Sequence, residues 1–416
     1  MENVNRQAVA SLRTGNAPRT GWRESVLATV VALAVAVPAQ ATDRNVNNTG
    51  LCNDVTGTPA YCTIQAAVNA ASPGDTINVA AGTYPELVKI TQTLILQGAQ
   101  HGIDARSRSG PETVVGMADG AFQILADNVT IDGFTAQGVT TDCSIIISAL
   151  CAGIHTNNAF SGHRILNNIV QNNIFGIYLN SNGVNPSLVQ FNLIQNNNVA
   201  SGSSSGNGIY SDQGLSNVVI DRNKLTNNTN AAMLFVGASQ SRLTISNNSA
   251  DNSIALINTS NSTISGNAII KPPASGVFIG GNDTNIALTC NTFISSATRG
   301  VRINNDAFGS LAANSNITLH NNDFFRNTIA GLEVDTGAHV GTVNATNNWW
   351  GCPAGANTPA CDAAIGNATV IPFLSRPSDC APIFGFEAPM LSQWGLLGLA
   401  TLLLGVAARS MRKIAA

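Results

Sequence analysis

Apolar residues recur in short alternating runs such as Asn217-Val218-Val219-Ile220 and Leu243-Thr244-Ile245. Alternation over a few positions is a strand signal and carries no helical period. The runs sit between repeated polar punctuation. Ile165-Leu166-Asn167-Asn168, Asn172-Asn173 and Gly176-Ile177-Tyr178-Leu179 form one phrase, which returns around Asn192, Asn223 and Asn322. In these units a second Asn follows the first after five residues, at Asn173, Asn197, Asn228 and Asn327. The first sites, Asn168, Asn192, Asn223, Asn248, Asn267, Asn291, Asn322 and Asn348, are separated by 24, 31, 25, 19, 24, 31 and 26 residues.

A period of about 20–30 residues built from short strands marks a solenoid. A unit that long holds about three strands and three bends. No unit can bury its own apolar side, so each needs the coils above and below. The expected fold is therefore all-β: a single-stranded right-handed parallel β-helix. Asparagines at equivalent bends lie about 4.8 Å apart, close enough for amide-to-amide hydrogen bonding. Asn also tolerates the left-handed backbone that a bend requires. The eight sites are read as a structural ladder, although Asn128, Asn247 and Asn344 also sit in Asn-x-Ser/Thr sequons.

These phrases resemble the repeat of pectate-lyase-like proteins. Thr63-Ile64-Gln65-Ala66-Ala67-Val68, Gly74-Asp75-Thr76-Ile77-Asn78-Val79 and Gly82-Thr83-Tyr84-Pro85-Glu86 resemble the first coils of that superfamily. Asn347-Asn348-Trp349-Trp350-Gly351 resembles its last. The likeness spans roughly residues 62–352 and implies fold. That fold hosts lyases, hydrolases, esterases and inert surface proteins, so activity must come from a site.

Five segments are expected: a signal peptide (1–41), an N-terminal cap (42–74), the β-helix (75–351), a C-terminal cap and linker (352–387), and a tail (388–416). Arg13, Arg19 and Arg23, the apolar run 26–37 and Ala39-Gln40-Ala41 form a secretory signal. Residues 42–62 read as a polar loop. Thr63 should cap a helix ending near Ala71, whose apolar face covers the first coil. In the tail, Pro389, Leu391, Ser392, Trp394 and Gly395 match bacterial sorting signals that begin Ile-Pro-Thr-Leu-Ser-Glu-Trp-Gly. Ala388, Met390 and Gln393 depart from that pattern. An apolar helix over 396–408 then leads to Arg409, Arg412 and Lys413. The resemblance implies export to a bacterial cell envelope, with a membrane and a sorting machinery as partners. A C-terminal anchor without processing stays open as an alternative.

Eight cysteines agree with an oxidising compartment. Cys52 with Cys62, Cys143 with Cys151 and Cys352 with Cys361 are close enough in sequence to close loops, and no metal-binding CxxC spacing occurs. Cys290 reads as a buried thiol, and Cys380 stays unassigned. Net charge is −3, with 10% charged residues and no basic run, which argues against a nucleic-acid partner. No cofactor is implied.

In each Gly-Ile-x-Leu strand the first apolar residue should point inward and the next outward. The outward series is His155, Tyr178, Tyr210, Phe278, Arg302 and Glu333, with Asp212 and Asp335 two residues further on. Aromatics beside charges suit a sugar-binding face. The alternative is plain cross-strand packing with an Arg302–Glu333 surface pair. Insertions at 140–150, 201–206 and 307–315 are further places for function. No acidic trio, Asn-Thr-Asp strand, Asp-Asp pair, Gly-x-Ser-x-Gly or His-Glu-x-x-His is found. Glu86 reads as structural. No catalytic or metal-binding residue is assigned. Two functions remain: a surface-attached, non-catalytic protein with a glycan-binding, adhesive or structural role, or a polysaccharide-degrading lyase or glycosidase.

Overall fold

The computed structural model describes residues 41–57, 60–146, 148–202, 205–307, 309 and 311–382. The expected signal segment up to residue 40, the last residues of the linker and the C-terminal tail, where an apolar helix is expected, lie outside the described residues. Among the described residues no helix is long and apolar enough to cross a membrane.

Three parallel sheets wind around one core. Sheet A has 13 strands, sheet C 11 and sheet B 10 among the described residues. A regular coil runs from A through B to C, as in Arg164–Leu166, Ile169–Gln171 and Phe175–Tyr178. Each strand pairs with its counterpart one coil on, so Ile165 stands beside Val189 and Ile177 beside Ile209. The inward residues are fully buried, including Ile165, Ile177, Ile194 and Ile220. Near the C-terminal end, Phe293, Phe324 and Trp350 stack inside the coil at 5.2 and 4.8 Å.

The Gly of the repeated phrase has a packing cause. A Cβ on Gly176 would stand 2.4 Å from the Gly208 carbonyl oxygen, and one on Gly300 would stand 2.6 Å from that of Gly331. Only the absence of a side chain lets the coils stack there at strand spacing.

The A-to-B bend carries the asparagine ladder. Asn168 Oδ1 accepts from Phe134 N at 3.0 Å, and its own N–H donates to Asn192 Oδ1 at 2.8 Å. The same bond recurs from Asn192 to Asn223, Asn248, Asn267, Asn291, Asn322 and Asn348. A second ladder at the B-to-C bend joins Asn173, Asn197 and Asn228.

The ladder residue is not the one with left-handed backbone. That conformation falls one position earlier, at Asn167, Asn247, Asn321 and Asn347, but also at Phe191, Arg222 and Cys290. The next residue's amide bonds fix the bend firmly enough for bulky side chains to occupy a conformation they ordinarily avoid.

Both ends extend the expected boundaries. Asp43–Val46, read as polar loop, is the first strand of sheet A and pairs with Thr76–Val79. Ala364–Ile365 and Ala368–Thr369, read as cap, add final strands to sheets C and A. Helix α1 (Ile64–Ala70) buries Ile64, Ala67 and Val68. Its first N–H groups donate to the Glu86 carboxylate, at 2.8 Å from Ile64 and 2.9 Å from Gln65. Glu86 is thus a helix-capping side chain.

All eight cysteines are bonded: Cys52–Cys62, Cys143–Cys151, Cys352–Cys361 and Cys290–Cys380. The reading of Cys290 as a buried thiol is corrected. After the last coil the chain turns back along sheet B as a strap. Leu374 N donates to Asn348 O, Ser378 N to Asp323, and Thr292 to Pro382 O. That return brings Cys380 to Cys290, 90 residues away in sequence.

Candidate functional site

Parallel register puts His155, Tyr178, Tyr210, Leu234, Ala255, Phe278, Arg302 and Glu333 in one outward column on sheet C. The column divides into a covered part and an open part.

The covered part holds His155, Tyr178 and Tyr210. The sequence placed the tyrosines on an open face, yet Tyr178 is only 9% exposed and Tyr210 6%. With Phe175, Val236 and Ile257 they form a second apolar cluster. Insertion residues Cys143, Ala307 and Leu311 and the nearby Val199 pack onto it. Loops on both edges of sheet C fold back because the aromatic rings offer large apolar areas to bury.

Asp142 ties two of those loops together. Its carboxylate accepts from Ser144 N at 2.8 Å, Ser144 Oγ at 2.7 Å and Gly202 N at 2.9 Å. These bonds, the Ser144 hydroxyl first, hold its pKa down to about 2. Asp142, Cys143 and Cys151 converge as three potential metal-ligand atoms. Both sulfurs are committed to a disulfide, which leaves no thiolate for a metal.

The Tyr178 hydroxyl donates to the Asp212 carboxylate and accepts from Gln213 Nε2 at 2.8 Å. The Tyr210 hydroxyl donates to the other Asp212 oxygen at 3.1 Å. Burial first, then Asp212, pushes the Tyr178 phenol far above its ordinary value. His155 meets the Tyr178 ring edge-on at 4.8 Å. Desolvation drops the imidazole to about 4, so it is neutral at pH 7.

The open part is a groove of about 350 Å3. Leu234, Ala255 and Phe278 line it, and the small Ala255 leaves a dip between its larger neighbours. Ser253, Ser275 and Thr298 also line it and are linked: Ser253 Oγ donates to Ser275 O at 2.6 Å, and Ser275 Oγ lies 3.1 Å from Thr298 Oγ1. Arg299 and Arg302 also line it, with Asn230, Ala231 and Ala274.

The Arg302–Glu333 pair of the alternative, cross-strand-packing reading is not formed, although the two are register neighbours. Arg302 Nη2 instead meets Asp335 Oδ2 at 2.6 Å, and Arg299 Nε pairs with Glu333. Asn304 Nδ2 also donates to Asp335, at 2.6 Å. Desolvation pushes the Asp335 carboxyl up, but the Arg302 and Asn304 bonds and the Arg302 and Arg299 charges together hold it below the usual carboxylate range. Sequence reading missed Leu234, Ala255 and Arg299. The first two lie in Ala232-Met233-Leu234 and Ile254-Ala255-Leu256, which lack the Gly-Ile phrase, and Arg299 precedes it.

Carboxyls with strongly raised pKa lie elsewhere. Asp283, raised by burial to about 7, accepts from Thr259 N at a bend. Asp323, raised by burial to about 6, accepts from Ser378 N under the strap. These are structural positions away from the groove.

Residues 152–310 match the family described as a right-handed β-helix region. No curated protein matches the chain in sequence. Among solved structures, an alginate lyase from Paenibacillus is similar at 14% identity and TM-score 0.50, over 79% of this chain and 99% of that one. The catalytic unit of an α-1,3-glucanase from Streptomyces thermodiastaticus is similar at 16% identity and TM-score 0.50, over 84% and 71%. A pectate lyase is similar at 13% identity and TM-score 0.45, over 85% and 86%. Identities this low speak to architecture alone. The chain has the fold of a right-handed parallel β-helix.

Proposed function

We propose that this is an exported, non-catalytic β-helix protein that binds a glycan in the sheet C groove. The observation that carries the reading is the groove's composition: an apolar floor around Phe278 beside serine, threonine and arginine donors. Sugar rings present C–H faces to such a floor and hydroxyls to such walls. The acids beside the groove, Glu333 and Asp335, are each bound to an arginine. Asp335 is held below the usual carboxylate range rather than raised as a general acid's would be, and Glu333 is tied to Arg299, which favours binding over cleavage.

Four disulfides suit an oxidising compartment. The N-terminal signal and the 388–416 tail support export followed by attachment at a cell envelope. Polysaccharide cleavage is the second reading, favoured by the fold shared with an alginate lyase and an α-1,3-glucanase.

Purified protein incubated with a polysaccharide panel separates the two. Retention without new reducing ends or unsaturated products is expected. Product that accumulates with time and enzyme dose would overturn the non-catalytic reading.

A further inference from the structure

We infer that the groove takes a neutral glycan, rich in hydroxyls and free of carboxylate or sulfate. This inference rests on the groove being the glycan contact.

The charged residues lining the groove are Arg299 and Arg302. On sequence alone two arginines would suggest an anionic ligand. The structure shows both already matched. Arg302 reaches Asp335 with two nitrogens, Nη2 at 2.6 Å and Nε at 3.4 Å. Arg299 is paired with Glu333, and both side chains of that pair are only 19% exposed. Arg302 also feels the charges of Glu333 and exposed Asp306. Locally, three carboxylates therefore face two guanidiniums.

An acidic sugar in this groove would have to displace a protein carboxylate from a half-buried arginine or sit beside an excess of negative charge. Displacement would leave a partly buried charge without its partner, which is strongly unfavourable. A hydroxyl meets no such conflict, because it both donates and accepts. A guanidinium has five N–H donors, so donors remain on each arginine after pairing, and each carboxylate keeps lone pairs. Each ion pair thus offers a donor and an acceptor side by side, the pattern a sugar hydroxyl completes. On the walls the Ser275–Thr298 pair keeps one O–H beyond the bond it shares, and Ser253 Oγ, whose O–H is held by Ser275 O, keeps lone pairs that can accept.

The test uses the full protein in affinity electrophoresis against neutral glycans (a β-glucan, a mannan, a dextran) and acidic ones (polygalacturonate, alginate), at low and high salt. The parent should retain a neutral glycan about equally at both salts, since screening acts on charge. It should not retain the acidic ones. The double variant Glu333→Gln with Asp335→Asn frees both guanidiniums and should gain about ten-fold or more in retention of acidic glycans, lost again at high salt. Arg302→Gln, which removes a cation instead, should show no such gain.

Salt-sensitive retention of polygalacturonate or alginate by the parent, abolished by Phe278→Ala, overturns the neutral-ligand inference and leaves the groove standing as the contact. No retention of either class overturns the groove reading itself. A folded double variant that gains nothing also counts against the inference.

Discussion

Replacing Asn223 by Ala removes a hub of the ladder. Asn223 is fully buried. Its Nδ2 donates to Val189 O at 2.9 Å and Asn248 Oδ1 at 3.0 Å. Its Oδ1 accepts from Asn192 N at 3.0 Å and Asn192 Nδ2 at 2.9 Å. Asn192 Nδ2 retains Ile165 O, and Asn248 Oδ1 retains the Asn223 backbone N–H. The Asn192 N–H and the Val189 carbonyl lose these side-chain partners. A buried polar group without a partner costs about 1–3 kcal/mol, so the loss of both should be about 2–6 kcal/mol. The control is Asn367→Ala, an exposed amide bonded to Gly341 O and Thr342 Oγ1, where water replaces the amide and the change should stay within about 0.5 kcal/mol. Urea unfolding at fixed pH, followed by circular dichroism, gives both numbers. An Asn223→Ala loss no larger than that of Asn367→Ala would refute the view that buried amides hold the bends.

Acid should weaken the fold through His163, whose two ring nitrogens are buried without partners and whose pKa is pushed down to about 4 by desolvation. The unfolded chain takes up that proton near pH 6.5 and the fold only near 4. Stability is therefore full above pH 6.5 and lost as pH falls, by up to about 3 kcal/mol; His163→Leu should lose correspondingly less between pH 7 and 4, and parallel urea midpoints for the two proteins would contradict this. Cys290→Ser should cost about 2–4 kcal/mol and admit protease between residues 373 and 381, while coils before Cys290 stay protected; an unchanged digestion pattern counts against the strap. Tyr178→Ala with Tyr210→Ala should destabilise by at least about 3 kcal/mol, since both rings are packed under loops; full stability in thermal unfolding would show that the rings are not core.

The ladder was legible because a bend that recurs every coil forces one residue type into register, and Asn168 through Asn348 carry that register in their spacing. The left-handed position was misassigned because it depends on the bond made by the following residue, which lets Phe191 and Cys290 occupy it. Asp43–Val46 and Ala368–Thr369 were missed since strands this short have too few positions for alternation to register. The outward column was legible wherever Gly-Ile precedes it, but its covering was not. Whether Tyr178 faces water depends on how insertions fold back, and Cys143, Ala307 and Leu311 come from distant coils. The Arg299–Glu333 and Arg302–Asp335 pairing likewise depends on side-chain reach between coils, which register alone does not supply.

The central claim is that the sheet C groove is where this protein meets a glycan. Diffraction from crystals soaked with the oligosaccharide it retains best tests this most directly. A sugar ring should lie over Phe278 and Ala255, with hydroxyls against Arg302 and the Ser253–Ser275–Thr298 wall. Sugar density on sheet A, on sheet B or on the loop tips, with the groove empty, would contradict it.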